Sequence, residues 1–176
     1  GTIAVPVNMP TIFEQIASQH GGSVERTKVD LQDLMAVASK GKVIMAGDGS
    51  GNIIFPKFHP GADGLFALAK LLEFLVTQNV SFSQIVDGLP PYYVAERRVS
   101  CPWEYKGTVM RLLNEQYKPK RGAQIDGTRI DLGRDWVLVL PDPDEPYVRV
   151  IAQSESGPQA QDLADKYARV VEGLQH

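Results

Sequence analysis

The 176-residue sequence predicts an α/β domain, a mixed sheet with flanking helices, followed by a small α+β domain with an antiparallel sheet and helices. Three observations carry that prediction. Through the first half, short apolar runs alternate with segments whose apolar residues recur at helical spacing. In the second half TRIDL, WVLVL and YVRVI follow one another at hairpin distances, and a helical stripe closes the chain. Between the halves, GLPPYYVAERRVSCPWEY breaks the rhythm with Pro90, Pro91 and Pro102. The expected organisation is a first domain over 1–91, a linker over 92–104 and a second domain over 105–176.

TIAVPV is a short apolar run whose Pro6 suits a strand at a sheet edge or a strand end. Thr11 to Glu14 reads as a capping box opening a helix with Phe13, Ile16 and Ala17 on one face, and Gly21 and Gly22 stop it. SVERTKV is strand-like, and Asp30 then caps a helix in which Leu31, Leu34, Met35 and Ala38 are helically spaced. KVIMAG reads as a buried strand, and NIIFP returns after a short turn. From Asp63 runs the strongest helix, with Leu65, Leu68, Ala69, Leu72, Leu75 and Val76 in one stripe. Ser81 caps a shorter helix ending at Gly88. Beyond the linker, Val109, Met110 and Leu113 mark a helix. After three strands, Ser156 and Pro158 begin the last helix, with Leu163, Tyr167, Val170 and Leu174 on one face.

Composition is ordinary for a globular chain: 43% hydrophobic, 22% charged, net charge −3. That balance gives no reason to expect a nucleic-acid or acidic-membrane partner. No apolar run approaches the ~20 residues of a membrane span, and no secretory signal is visible. Cys101 is the only cysteine, so no internal disulfide forms and a reducing, cytoplasmic setting is expected. The chain opens GTIAVPV without an initiator Met, as a fragment of a longer protein would.

Two loops carry unusual chemistry. GDGSGN (47–52) places three small polar side chains among glycines, which let a backbone approach a ligand closely. Asp48 and Ser50 would project from one side of such a turn and could grip sugar hydroxyls. By composition alone an ordinary hairpin turn is the commoner reading, since D-G and G-N are common turn pairs. A calcium loop is excluded: the pattern needs Gly at the sixth position and Glu at the twelfth, where Ile53 and His59 stand. In VLVLPDPDEPYVRVI, Asp142, Asp144 and Glu145 lie among Pro141, Pro143 and Pro146. By carboxylate count this is a metal site; by proline stiffness and the lack of Gly or His it is a solvated turn. KPKR (118–121) reads as a solvated basic loop, with phosphate contact a minor option. His20, His59 and His176 show no ligand spacing and no pairing with a nucleophile. Cys101, beside Pro102 and Trp103, reads as a packed thiol. No phosphate-binding or dinucleotide fingerprint occurs, and no catalytic residue or metal ligand emerges.

Taken in order, these landmarks resemble the C-terminal half of the α-D-phosphohexomutases, the phosphoglucomutase/phosphomannomutase family. RTKV before a helix resembles the family's T-x-V-G stretch, with Asp30 where Gly is usual. GDGSGNIIFP resembles its sugar-binding loop, usually G-E-x-S-G-H before an apolar strand, and GADGLFALAKLLEFLV resembles the helix that follows. QIDGTRIDLGRDWVLVLPDPDEPYVRV is similar to the last-domain run: I-D-G-x-(K/R), a Trp, a strand, the phosphate-binding loop, then E-P-x-x-R-V. The resemblance covers essentially the whole chain and implies the third and fourth of four domains. The family's phosphoserine nucleophile lies in the first domain and its magnesium-binding aspartates in the second. No catalytic residue or metal site is therefore expected here; magnesium, the N-terminal domains and the hexose phosphate substrate belong to the parent protein. Divergent mutase-like regions of this kind also resemble those fused behind a sugar-phosphate nucleotidyltransferase, as in mannose-1-phosphate guanylyltransferase-type proteins. There the region would be a non-catalytic binding or scaffolding module.

Position by position, Asp48 stands where the family has its sugar-binding Glu, Ser50 matches its Ser, and Asn52 replaces a His. The phosphate-binding stretch R-x-S-(G/N)-T-x-P is replaced by Leu140, Asp142, Pro143 and Asp144, ahead of a matching Glu145-Pro146. The cation is gone and both hydroxyls have become carboxylates. A carboxylate ~4 Å from one phosphate charge costs roughly 4 kcal/mol at an effective dielectric of ~20, about three orders of magnitude in affinity. The loop is expected not to bind phosphate.

Overall fold

The computed structural model describes residues 1–117 and 125–175; the KPKR segment and His176 lie outside the described residues. The chain divides into two compact units, Gly1–Pro91 and Tyr92–His176.

The first unit is built on β1 (Thr2–Pro6), β2 (Ser23–Thr27), β3 (Met45–Gly47) and β4 (Ile53–Ile54), in the order β2-β1-β3-β4. β1 pairs in parallel with both β2 and β3, and β4 returns antiparallel to β3. β1 is thus central, not an edge; Pro6 is its last residue, so the missing donor falls where the ladder ends. Parallel neighbours require crossovers, and α1 (Ile12–Gln19) and α2 (Leu31–Ser39) supply them. Asp30 starts α2 as expected, its Oδ1 accepting from the N–H groups of Gln32 (2.5 Å) and Asp33 (3.3 Å). Leu34 and Ala38 then pack with Ala4, Val43, Ala46 and Ile54.

The capping box expected at Thr11 does not form: its side chain makes no capping bond. Glu14 is instead held bidentately by Arg26, Nε to Oε1 and Nη2 to Oε2, each 2.7 Å. The same guanidinium donates to the carbonyls of Pro6 (2.9 Å), Met9 (2.8 Å) and Pro10 (3.1 Å). Its planar fork of donors fixes the exit of β1 and the first turn of α1 together. A complete box does form at Ser81, between its hydroxyl, the Gln84 N–H and the Gln84 side chain, and opens α4 (Phe82–Asp87).

α3 (Gly64–Gln78) starts where expected, with Asp63 as its cap, but its apolar stripe is not core. No residue of the helix is buried, and Leu65 and Val76 are 83% and 80% exposed. The helix is attached through Phe66, which meets Phe55 edge-on at 5.4 Å and stacks on Phe58 at 3.9 Å. Between α3 and the sheet an apolar groove of about 800 Å³ stays open, lined by Met45, Ile53, Phe55, Leu68, Leu71 and Phe74 among others.

The second unit is an antiparallel sheet of β5 (Tyr93–Ser100), β6 (Thr128–Leu132), β7 (Asp135–Pro141) and β8 (Tyr147–Ser154), ordered β5-β8-β7-β6. The segment 92–104, expected as a linker, is the edge strand β5 and the start of α5 (Trp103–Tyr117). The flanking prolines misled: β5 pairs along its whole length with β8, and its alternate residues Ala95 and Val99 enter the core. Val137, Val139, Val148 and Val150 face the same core at strand period, against α5 and α6 (Gly157–Gly173). Ser156 caps α6, and Arg97 ties β5 to that helix through Asp165 at 2.5 Å. On the opposite sheet face the buried Trp136 Nε1 donates to Gln153 Oε1 at 3.0 Å, with the Arg129 guanidinium 4.4 Å over its ring. Among the described residues no helix is long and apolar enough to cross a membrane.

The I-D-G stretch has a steric cause. Gly127 has φ +66°, and a Cβ there would lie 2.4 Å from the Val139 carbonyl oxygen. Gly127→Ala is expected to lower stability by roughly 2–5 kcal/mol, combining a left-handed non-glycine residue with an overpacked contact. Urea unfolding followed by tryptophan fluorescence checks this; an unchanged midpoint would contradict it.

Candidate functional site

Because β1, β2 and β3 are parallel, the loops that follow them leave one edge of the sheet, the side on which open α/β sheets bind ligands. These loops carry Asn8 and Met9, Lys28, and the turn Asp48–Asn52. The turn is organised by its own carboxylate. Asp48 Oδ1 accepts from the N–H groups of Ser50 (2.9 Å) and Asn52 (3.0 Å), and Oδ2 accepts from the Asn52 side-chain amide (2.8 Å). The Asp48 N–H closes the turn on the Asn52 carbonyl at 3.1 Å. Gly51, at φ +92°, supplies a left-handed position.

Of the three residues marked in the sequence, Asp48 and Asn52 are therefore bonded to each other, and Ser50 is exposed at the tip. Asp48 does not stand free beside Ser50, because an aspartate is short enough to bond its own backbone two residues on. A carboxylate offers about four acceptor sites, so Oδ2 keeps capacity for one further donor. Met9 was not marked, yet a Cβ on Gly49 would lie 3.1 Å from its Sδ, so the loop after β1 braces the turn. Asn8 Oδ1 in that loop is buried with no hydrogen-bond partner among the described residues. Only its place after β1 could have pointed to it. Lys28 is exposed and 4.0 Å from Asp33.

The second loop joins β7 to β8. Asp142 Oδ1 accepts from the N–H groups of Asp144 and Glu145, each at 3.0 Å. From the other side Lys106 of α5, only 8% exposed, donates Nζ to the carbonyls of Asp142 (2.6 Å) and Glu145 (2.5 Å). Its ammonium also lies 3.6 Å from the centre of the Trp103 ring. Leu140 is buried at 5% exposure and brings no charge to the loop. Arg149, the nearest arginine along the strand, is bidentate to Glu96 at 2.9 and 3.0 Å.

These contacts move the titrating groups. Burial raises the Asp142 carboxyl, but the bonds from Asp144, Tyr147 and Glu145 and the Lys106 charge outweigh it, so its pKa falls below the usual value. Tyr147 is raised, first by its side-chain bond to Asp142 and then by burial. Burial also pushes up the thiol of Cys101, which is wholly enclosed, away from nucleophile chemistry. Among the described residues no group of three or more His, Cys, Asp or Glu could hold a metal ion, and the Asp142 carboxylate faces its own backbone.

Asp142 is held charged in the folded loop, so its contribution to stability is present above its unfolded pKa. That contribution is lost as pH falls through the lower folded value, below about 3.8. A carboxyl ¹³C titration is expected to show a midpoint below 3.8, with the Asp144 and Glu145 amide shifts following it; a midpoint at or above that value would contradict the geometry.

Comparison with known proteins places these observations. Residues 1–93 match the family described as phosphoglucomutase/phosphomannomutase, alpha/beta/alpha domain III. A "Probable phosphoglucosamine mutase" of Methanopyrus kandleri is 31% identical over 97% of this chain and 38% of its own length. A "Phosphoglucomutase/phosphomannomutase" of Thermococcus kodakarensis is 29% identical over 98% and 38%. Among solved structures, a phosphoglucomutase/phosphomannomutase family protein of Burkholderia thailandensis superposes with a TM-score of 0.81 at 20% identity, over 98% of this chain and 37% of that one. The N-acetylphosphoglucosamine mutase of Aspergillus fumigatus, solved with GlcNAc-6P and magnesium, gives 0.71 at 13%, over 99% and 39%. At those identities the structures speak for the fold alone. The chain spans under two fifths of the length of the curated relatives named here. With more than half its length matched to that family, the chain belongs to the phosphoglucomutase/phosphomannomutase family.

Proposed function

We propose that this chain is the C-terminal portion of a phosphohexomutase-type protein of hexose phosphate metabolism, and that the turn Asp48–Asn52 contributes the sugar-contacting part of its site. One observation carries the reading: Asp48 is fixed by three donors yet keeps an acceptor site on Oδ2, in a turn whose Ser50 is exposed. A preorganised acceptor of that kind suits ring hydroxyls, which are donors held at fixed spacing. The named relatives act on phosphorylated hexoses or hexosamines by their descriptions, which supports that substrate class. The phosphoryl donor and the magnesium ligands are assigned to residues of the parent protein outside this chain, so the chain alone is inactive. A cytoplasmic setting suits the single, buried Cys101.

A second reading is a non-catalytic sugar-phosphate-binding or scaffolding module attached to a sugar-phosphate nucleotidyltransferase. The loop between β7 and β8 favours it, since Asp142, Asp144 and Glu145 present no cation to a phosphate. Both readings share the sugar turn and differ in whether the parent protein isomerises anything.

The test uses this chain with glucose 1-phosphate, mannose 1-phosphate or glucosamine 1-phosphate, with magnesium and a hexose bisphosphate. No turnover above the buffer blank is expected, and turnover would overturn the assignment of chemistry to other domains. Titrating the same sugar phosphates is expected to give saturable amide shifts at residues 48–52. Asp48→Ala should weaken that binding about ten-fold, near 1.4 kcal/mol. A turn that does not respond would refute its role.

A further inference from the structure

Arg26 stands at the end of β2 with its side chain only 14% exposed. A guanidinium carries five N–H donors, and here each has an acceptor. Nε and Nη2 hold the Glu14 carboxylate at 2.7 Å each, Nη1 reaches the carbonyls of Pro6 (2.9 Å) and Met9 (2.8 Å), and Nη2 also reaches Pro10 (3.1 Å). Three of those acceptors are backbone carbonyls at the exit of β1 and in the loop after it. Beside the clamp, the Val7 N–H donates to the Thr27 carbonyl at 3.0 Å and the Met9 N–H to the Pro6 carbonyl at 3.1 Å, while Pro10 has no N–H to offer. Within this held stretch the Asn8 Oδ1 is buried with no hydrogen-bond partner among the described residues. Leaving an acceptor so costs free energy, and a loop free to turn would relieve it. The guanidinium is what keeps the loop from doing so.

The turn Asp48–Asn52 needs an outside brace. Its internal bonds fix the shape of its own backbone, but it stands on a short ladder: β3 has three residues and β4 two, and only Ala46–Ile54 and Gly47–Ile53 pair. The loop after β1 supplies the brace through Met9, whose Sδ would lie 3.1 Å and whose Cε 3.6 Å from a Cβ on Gly49. Glycine at that position lets the thioether rest against the turn backbone itself.

We propose that Arg26 is a positioning residue for the sugar turn: it fixes the loop after β1, which seats Met9 against Gly49, and Met9 holds residues 48–52 in their binding shape. With its donors engaged on Glu14 and the loop, Arg26 acts on the turn through Met9. Lysine cannot replace it, since three donors on one nitrogen do not span a carboxylate and three separate carbonyls. The inference rests on the reading of this turn as a sugar contact. A turn that keeps its binding shape only part of the time binds more weakly in proportion to that fraction, so losing the brace lowers affinity without removing any group that meets the sugar.

The experiment compares the native chain with Arg26→Lys, Met9→Ala, Met9→Leu and the double variant Arg26→Lys/Met9→Ala. Amide shifts and hydrogen exchange of residues 48–52 are followed without ligand and in a titration with glucose 1-phosphate, beside urea unfolding midpoints. Arg26→Lys and Met9→Ala are each expected to shift the ligand-free amides of the turn, speed exchange at Ser50 and Asn52, and weaken glucose 1-phosphate about five- to ten-fold. Met9→Leu keeps the bulk and should keep the native affinity. The double variant should bind about as the weaker single one does, because both changes break one path. A lower unfolding midpoint in Arg26→Lys with unchanged affinity would make Arg26 a structural strut and overturn the proposal, as would additive losses in the double variant. If the native chain does not bind glucose 1-phosphate, the sugar reading fails, and the ligand-free arm decides the positioning. Altered turn amides in Arg26→Lys and Met9→Ala would then uphold it, and unaltered ones would overturn it. Should Arg26→Lys fail to fold, Met9→Ala against Met9→Leu decides, and native turn amides and affinity in both would sink the idea.

Discussion

A backbone N–H left without a partner costs more than a tight turn can sustain, and in this chain aspartate carboxylates meet that demand at the places that set the rest of the fold. Asp30, Asp48 and Asp142 each take two backbone N–H groups on a single oxygen. The first starts α2 and so delivers Leu34 to the core beneath β1 and β3. The second closes the turn that sets Gly47 opposite Ile53. The third shapes the connection after which Pro141 faces Val148 and the β7–β8 ladder begins. A side chain one methylene longer would not serve equally, because its oxygen would overshoot the N–H two residues on.

Elements whose signals are local were legible in the sequence. Asp30 and Ser81 cap where expected, and helices start where expected at Asp63 and Ser156, each signal needing only residues within one turn of itself. Thr11–Glu14 has the same local signal and fails, because Arg26 of β2 gives Glu14 two bonds from a cation in place of one from a backbone N–H. The strand β5 was hidden by prolines at its flanks, which limit where a strand begins and ends but say nothing of the residues between them. The α3 stripe shows the converse error. Helical periodicity reports that a face is apolar, not that the described residues cover it.

The site was legible to the same depth. The turn and its polar residues could be read from the glycines around Asp48, Ser50 and Asn52. The bond between Asp48 and Asn52 could not, since composition does not say whether a carboxylate faces outward or back on its own loop. Lys106 was beyond reach for a different reason. It stands 36 residues from Asp142 in sequence, on a helix whose pattern only announces Val109, Met110 and Leu113. A lysine at that spacing reads as solvent-facing until the sheet places two carbonyls in front of it.

The two loops share a device and differ in what it leaves over. At Asp48 three donors, two from the backbone and one from the Asn52 side chain, use most of the carboxylate but leave Oδ2 an open acceptor site in a turn whose Ser50 is exposed. At Asp142 the backbone donors are the N–H groups of Asp144 and Glu145, and the carbonyls behind them are bound to a cation. The first arrangement presents an acceptor and selects for donors, which neutral hydroxyls are. The second has satisfied its donors internally and surrounds them with negative charge. One short acidic side chain thus produces an open polar turn in one unit and a closed loop in the other. The difference comes from the third partner: in the first unit an amide that takes one lone pair, in the second a buried lysine that locks the peptide planes.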